Sequence, residues 1–248
     1  MTQASLNIRI QITFIFSMGE ARSFAASVQV LEAGMTNEEN WWVSGGEGKS
    51  GSPLKTSELR WANGTWGSGP VLPVAMTGHC VVQIQRDLSV IVGGQPFHAN
   101  YIYNWRTQKW STFYQLQSSR YYHGCGLIRN NVLGSGFDQD IVVVGGLSNT
   151  DGNVLKSTEI FKSDVNNWEI GPDFPTGGIY GLAIVQYSSD TILAVGGATV
   201  FGGESNSVIY SLSKSNMALW TQVGVAMAGR HAHIAIPLPG TFLNATQT

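Results

Sequence analysis

The chain has 248 residues, of which 12% are charged and 43% are hydrophobic, and its formal net charge is −2. This composition excludes a disordered chain, which needs low hydrophobicity and high net charge. It also argues against nucleic acid as a partner, because the chain has no broad positive field and no run of Lys or Arg. The 30 glycines favour an all-β fold with many tight turns.

The N-terminal segment, residues 1–19, has the pattern of a single strand. Apolar residues alternate with more polar ones from Leu6 to Phe16, and a period of two is typical of a half-buried strand. A signal peptide needs a continuous apolar core instead. No stretch of the chain approaches the roughly 18 apolar residues of a membrane helix, so no membrane span is predicted.

Residues 20–238 contain an internal repeat with a period of about 50 residues. In each unit, two short apolar runs precede a pair of glycines, and a β-rich run and a tryptophan follow it. The glycine pairs are Gly45-Gly46, Gly93-Gly94, Gly145-Gly146 and Gly196-Gly197, and the tryptophans are Trp66, Trp110, Trp168 and Trp220. Residues 239–248 form a C-terminal tail outside this repeat.

Each element of the repeat has a physical reason. Val, Ile, Tyr and Phe suit a pleated surface, and glycines at a strand end adopt backbone angles that side chains disfavour. One tryptophan per unit supplies a large apolar plate for the contact between neighbouring sheets. A four-stranded unit cannot bury both faces alone, so the units must stack around an axis. The sequence therefore predicts a β-propeller with four complete blades.

The order of these elements resembles the kelch repeat, as found in invertebrate kelch-like proteins. Arg22, Arg120 and Arg230 resemble the arginine that this family carries just before the innermost strand. The second and fourth units depart from the pattern, since Met76 and Thr176-Gly177 stand near that position. The resemblance implies a propeller fold, and rings of this family usually contain more than four blades.

The terminal pieces leave the number of blades open. A fifth inner strand is predicted from Ala232 to Ile236, and the N-terminal strand stands at the other end of the chain. Either the two pieces complete a fifth blade, or the chain is a fragment of a larger ring. The missing tryptophan just before Ser17 favours the fragment.

Two cysteines are present, Cys80 and Cys125. They either form one bridge or are both buried as small apolar residues, and their spacing does not decide between these alternatives.

Candidate catalytic and metal-binding residues have a structural interpretation. His79, His123 and His233 recur at equivalent places of different blades, too far apart to share one zinc ion. Glu58 and Glu159 also recur, on the third strands of their units. No nucleophile elbow, phosphate loop or zinc-helix motif is present. We therefore expect no catalysis, no metal and no cofactor.

The favoured function is that of a non-catalytic scaffold that binds another protein. The loops at the diglycine end vary while the strands repeat, and a rigid scaffold with variable loops suits recognition. The candidate contact residues are Arg22, Phe97, Arg120, Tyr121, Tyr122, Phe201 and Arg230. The alternative is a kelch-type propeller enzyme, such as an oxidase or a sugar mutarotase.

The sequence also does not decide whether the protein is extracellular or cytoplasmic. Asn63-Gly64-Thr65 and Asn244-Ala245-Thr246 are acceptor triplets for N-glycosylation. Such triplets also arise by chance, so they favour an extracellular protein only modestly.

Overall fold

The computed structural model describes residues 17–30, 40–96, 99–129, 139–200 and 203–232. Four antiparallel four-stranded sheets follow one another along the chain and form a four-blade β-propeller. The predicted all-β propeller fold is therefore confirmed. The described residues contain no helix long and apolar enough to cross a membrane.

Each blade pairs its strands in chain order, from the inner to the outer strand. The first blade consists of β1 (Ala26–Val30), β2 (Asn40–Ser44), β3 (Ser57–Arg60) and β4 (Trp66–Ser68), and the second of β5 (Cys80–Gln85), β6 (Leu88–Val92), β7 (Tyr101–Asn104) and β8 (Lys109–Thr112). The third blade consists of β10 (Gly124–Arg129), β11 (Gln139–Val144), β13 (Thr158–Lys162) and β14 (Asn167–Ile170), and the fourth of β15 (Tyr180–Ser188), β16 (Thr191–Ala198), β17 (Val208–Ser213) and β18 (Asn216–Val225). The short strands β9 (Arg120–Tyr121) and β12 (Leu147–Ser148) pair with each other beside the third blade.

The glycine pairs lie where the second strand of a blade ends. Gly45 has a φ of 55°, which favours glycine, and a Cβ there would lie 2.5 Å from the carbonyl oxygen of Met76. The second glycine of each pair donates its N–H to a carbonyl just before the next inner strand, as Gly94 does to Arg120 at 2.8 Å. The diglycines therefore allow one blade to approach the next at backbone distance.

The hydrophobic core lies between the blades. Trp42 and Leu59 of the first blade pack with Ile91 and Tyr103 of the second, and similar clusters join the second blade to the third and the third to the fourth. Trp168 and Trp220 are both 2% exposed within these clusters. The large apolar side chains of neighbouring sheets are thus buried against one another.

A chain of backbone hydrogen bonds also links the blades where their inner strands begin. Gly78 donates to Phe24, Tyr122 to Gly78, Gly181 to Tyr122 and Ala232 to Gly181, over 2.7–3.1 Å. All five residues have a φ between 51° and 64°. These five residues therefore occupy equivalent positions in the repeat, and Ala232 is the fifth of them.

A disulfide joins Cys80 of β5 to Cys125 of β10, with a Cα–Cα distance of 6.2 Å. The sequence left the choice between a bridge and two thiols open, and the structure shows the bridge. It ties the inner strands of the second and third blades together near the diglycine end. The N-terminal strand over Leu6 to Phe16 and the fifth inner strand beyond Ala232 lie outside the described residues.

Candidate interaction face

We define the diglycine face as the end of the propeller where the glycine pairs lie. It comprises the loops that follow each pair and the segments that lead into the inner strands. Because the strands alternate in direction, both kinds of segment emerge at this end. Most of the residues predicted to contact a partner lie here or just beneath.

Arg120 lies beneath this face and is completely buried. Its guanidinium pairs with Glu159 of β13, with 2.6 Å between Nη2 and Oε1. All five of its N–H groups find acceptors, which are the carbonyls of Ser118, Gly145 and Ser157, the Ser157 hydroxyl and the Glu159 carboxylate. Burial lowers the pKa of Arg120, and the charge of Glu159 opposes that shift.

Arg22 repeats this arrangement in the first blade. It donates to the carbonyls of Gly45 and Thr56 and pairs with Glu58 over 2.9 Å, and its side chain is 1% exposed. Burial acts to raise the pKa of Glu58, but hydrogen bonds from Arg22 and from the N–H groups of Gly19 and Glu20 outweigh it and lower that pKa. Both glutamates therefore bind arginines within their own blades.

The assignment of Arg22 and Arg120 as surface anchors is therefore wrong. Their sequence position marks the start of an inner strand, where the blade itself supplies a carboxylate and several carbonyls. Arg230 differs, because its side chain is exposed. Its carbonyl nevertheless accepts the N–H of Gly197 over 2.7 Å, so it holds the same backbone position.

The second and fourth blades fill the same site without charge. The residue at the arginine position is the one whose carbonyl accepts the N–H of a diglycine. It is Met76 in the second blade and Ile179 in the fourth, two to three residues after the predicted Thr176-Gly177. The strand register places Tyr101 and Tyr210 where the other blades have glutamate. Arginine and glutamate are thus present together or replaced together.

Three partly exposed aromatic rings lie on the diglycine face at the beginning of the inner strands. Phe24 is 46% exposed, and its ring centroid lies 4.9 Å from that of Tyr122. The rings of Tyr121 and Tyr122 are also 4.9 Å apart, and both side chains are half-buried. We call Phe24, Tyr121 and Tyr122 the axial aromatic cluster. Phe24 was missed from the sequence, although it follows Arg22 by the same two positions by which Tyr122 follows Arg120.

A carboxylate borders this cluster. Burial raises the pKa of Tyr122 to about 12, and the charge of Glu47 adds to the shift. Glu47 also accepts a long hydrogen bond of 3.5 Å from the Thr77 hydroxyl. The neutral phenol is therefore the form present at physiological pH, and it offers an apolar ring with a polar tip.

The repeated histidines lie between blades. His79 receives or donates one hydrogen bond, between Nε2 and the Ser44 hydroxyl at 2.9 Å, and burial lowers its pKa to about 4. His123 is buried beside Arg120 and His79, and burial together with the charge of Arg120 lowers its pKa to about 3. The backbone of Val92 opposes this shift, but neither ring nitrogen of His123 makes a hydrogen bond of normal geometry. Both histidines are thus neutral packing residues.

Two predicted contact residues, Phe97 and Phe201, lie outside the described residues, as do His98, His233 and Asn244. Within the described ranges, no group of three or more His, Cys, Asp or Glu side chains is placed to hold a metal ion.

Comparison with known proteins supports the architecture. No family model matches the sequence, and no curated protein matches it. The chain is similar in structure to YjhT, with a TM-score of 0.62 and 13% sequence identity, over 85% of this chain and 67% of that one. At this identity the likeness shows the fold alone.

Proposed function

We propose that the chain is a kelch-type propeller that binds a protein partner through its diglycine face and carries out no chemistry. The observation that carries the proposal is the axial aromatic cluster, a set of adjoining, partly exposed rings. Aromatic residues are enriched among the energetically dominant residues of protein interfaces, because they bury a large area at a low cost in conformational entropy.

The backbone beneath the cluster is rigid, which favours recognition. Phe24 and Tyr122 belong to the chain of hydrogen bonds that links the blades, and the disulfide joins β5 and β10 only three residues after Tyr122, at Cys125. Rings held in this way lose little freedom when a partner docks, so more of the contact energy is retained as affinity.

Tyr122→Gly tests the proposal without straining the backbone, and circular dichroism of the variant checks that loss of the half-buried ring leaves the fold intact. Gly78 and Gly181 occupy the same backbone position in the neighbouring blades, so glycine suits the φ of 53° at this site. A partner recovered by affinity capture from the native source is identified, purified and titrated against each variant. We expect Tyr122→Gly and Phe24→Gly each to weaken its affinity by tenfold or more, about 1.4 kcal/mol.

Val165→Ala is the matched control, because Val165 is 60% exposed in the turn between β13 and β14 at the opposite end of the third blade. Its affinity should stay within about twofold of the wild type. If both glycine variants bind as tightly as the wild type, the partner uses another face. Turnover of a sugar or an alcohol by the purified protein would replace this proposal by the enzyme alternative.

A further inference from the structure

The turn between β3 and β4 presents the triplet Asn63-Gly64-Thr65 to solvent. The side chain of Asn63 is exposed, and the turn lies at the end of the first blade opposite to the diglycine face. We propose that the amide nitrogen of Asn63 carries an N-linked glycan. This inference does not rest on the proposed binding function.

The turn holds the triplet in a form that leaves this nitrogen accessible. The Asn63 carbonyl oxygen accepts hydrogen bonds from the backbone N–H of Thr65 at 3.0 Å and from its hydroxyl at 2.7 Å. Nδ2 makes no hydrogen bond to any residue of the described ranges. A Cβ placed on Gly64 would meet only Arg60 Nη2, at 3.9 Å, so the surroundings of the turn are open.

The disulfide is a second, independent observation that points to the same chemistry. Stable disulfides form in oxidising compartments and are rare where glutathione keeps thiols reduced. Cys80 is buried and Cys125 is half-buried between the second and third blades, so the bridge is part of the folded core. A chain that acquires this bridge in the secretory pathway passes the enzymes that glycosylate exposed Asn-x-Thr triplets.

The transfer requires an oligosaccharide donor carried on a polyprenyl diphosphate. Nδ2 of Asn63 forms a bond to the anomeric carbon of the first sugar, and the bond between that carbon and the diphosphate oxygen breaks. The lipid diphosphate leaves with the electron pair, and Nδ2 loses one proton. No oxidation or reduction takes place.

The position of the glycan leaves the axial aromatic cluster uncovered. Asn63 belongs to the outer half of the first blade at one end, whereas Phe24 of the same blade lies at the other end. Loss of the glycan through Asn63→Gln should therefore leave partner affinity within about twofold. The proposed glycan and the proposed binding face can thus be tested independently of each other.

Peptide mapping of the protein isolated from its native source tests the proposal. Trypsin releases residues 61–86, in which Asn63 is the single asparagine, and residues 121–129, which contain Cys125. Before reduction, we expect these two peptides to be joined through Cys80 and Cys125, with a glycan on the first. Peptide N-glycosidase in ¹⁸O-water should then convert Asn63 to labelled aspartate. A sample without the enzyme controls for spontaneous deamidation of Asn63-Gly64.

Variants expressed from the same gene in eukaryotic cells separate the triplet from the exposed asparagine. Thr65→Ala should abolish the glycan although Asn63 remains, whereas Thr65→Ser should keep it. Asn166 is an internal control, because it is exposed in the corresponding turn of the third blade but has Trp168 two residues later. Recovery of residues 61–86 with Asn63 entirely unmodified, joined to residues 121–129 or not, would overturn the proposal.

Discussion

The third and fourth blades build the same site from opposite chemistry. In the third blade, Arg120, His123 and Glu159 are buried together where the inner strand begins. In the fourth blade, Ile179, Leu182 and Tyr210 occupy the same three positions, and all are buried in an apolar cluster. The backbone bonds that fix the site are the same in both, since Gly94 donates to Arg120 as Gly146 donates to Ile179.

This difference shows that the propeller tolerates either a complete polar set or a complete apolar set. A buried arginine is stable here because every N–H group has an acceptor, and the apolar blade avoids the need for acceptors. A mixed set would leave a charge buried without its partner. We therefore expect the largest effects from substitutions that mix the two sets.

The first prediction is that Arg120→Ile destabilises the protein by about 3–5 kcal/mol, because the Glu159 carboxylate remains buried without its cation. The double variant Arg120→Ile/Glu159→Tyr approximates the fourth blade and should recover much of this loss. Urea denaturation of the wild type, both single variants and the double variant measures the coupling. A double variant no more stable than Arg120→Ile would show that the two sets are not interchangeable.

The second prediction concerns the outer strands, where both blades keep tryptophan. Trp168 is 2% exposed, donates its indole N–H to the carbonyl of Tyr114 and packs on the second blade. We expect Trp168→Ala to reduce the free energy of unfolding by about 3–5 kcal/mol. Trp66→Ala is the control. Because the Trp66 ring is only half-buried, this variant should lose clearly less free energy of unfolding than Trp168→Ala. Equal losses would indicate that burial between blades does not set the cost.

The fold was predictable from the sequence because the diglycines and tryptophans report backbone geometry and sheet contacts directly. Whether each arginine is buried or exposed was not predictable, because the repeat pattern gives only its position along the chain. Arg120 becomes inaccessible through Gly145, Ser157 and Glu159, which are distant in sequence. The disulfide was unpredictable for a similar reason, since it joins two blades across a separation of 45 residues.

The third prediction uses His123, which the fourth blade replaces by Leu182. Burial and the nearby charge of Arg120 keep the pKa of His123 near 3, against 6.5 for an ordinary histidine. Below about pH 6.5, His123 binds a proton in the unfolded chain but not in the folded one. The free energy of unfolding therefore falls as the pH is lowered toward 3. This histidine alone should lower the free energy of unfolding by about 2 kcal/mol between pH 7 and pH 5.

His123→Leu should remove this part of the pH dependence, because leucine has no proton to bind. Urea denaturation at pH 7 and pH 5 compares the variant with the wild type. Val165→Ala is the control, because Val165 is exposed and its side chain binds no proton. If His123→Leu loses as much free energy of unfolding between pH 7 and pH 5 as the wild type, His123 binds its proton equally well in the folded and unfolded chains.

The smallest expected effect comes from an ion pair that links the two compared blades. Lys214, in the turn before β18, lies 3.3 Å from the buried carboxylate of Asp140 in the third blade. Asp140 keeps a second lysine, Lys162, and two hydrogen bonds from Ser163 when Lys214 is lost. Lys214→Met should therefore cost only about 0.5–1 kcal/mol, and the cost should shrink as salt screens the pair.

Lys156→Met provides the comparison within a single blade. Lys156 pairs with Asp173 over 2.9 Å, but the two side chains are 64% and 52% exposed, so its loss should stay within about 0.5 kcal/mol. Urea denaturation at low and high salt distinguishes the two lysines. If Lys214→Met costs more than about 2 kcal/mol, the charge contact contributes to the docking of the fourth blade on a scale comparable to the apolar cluster. A small, salt-sensitive loss instead indicates that Ile179, Tyr210 and Trp220 hold the two blades together.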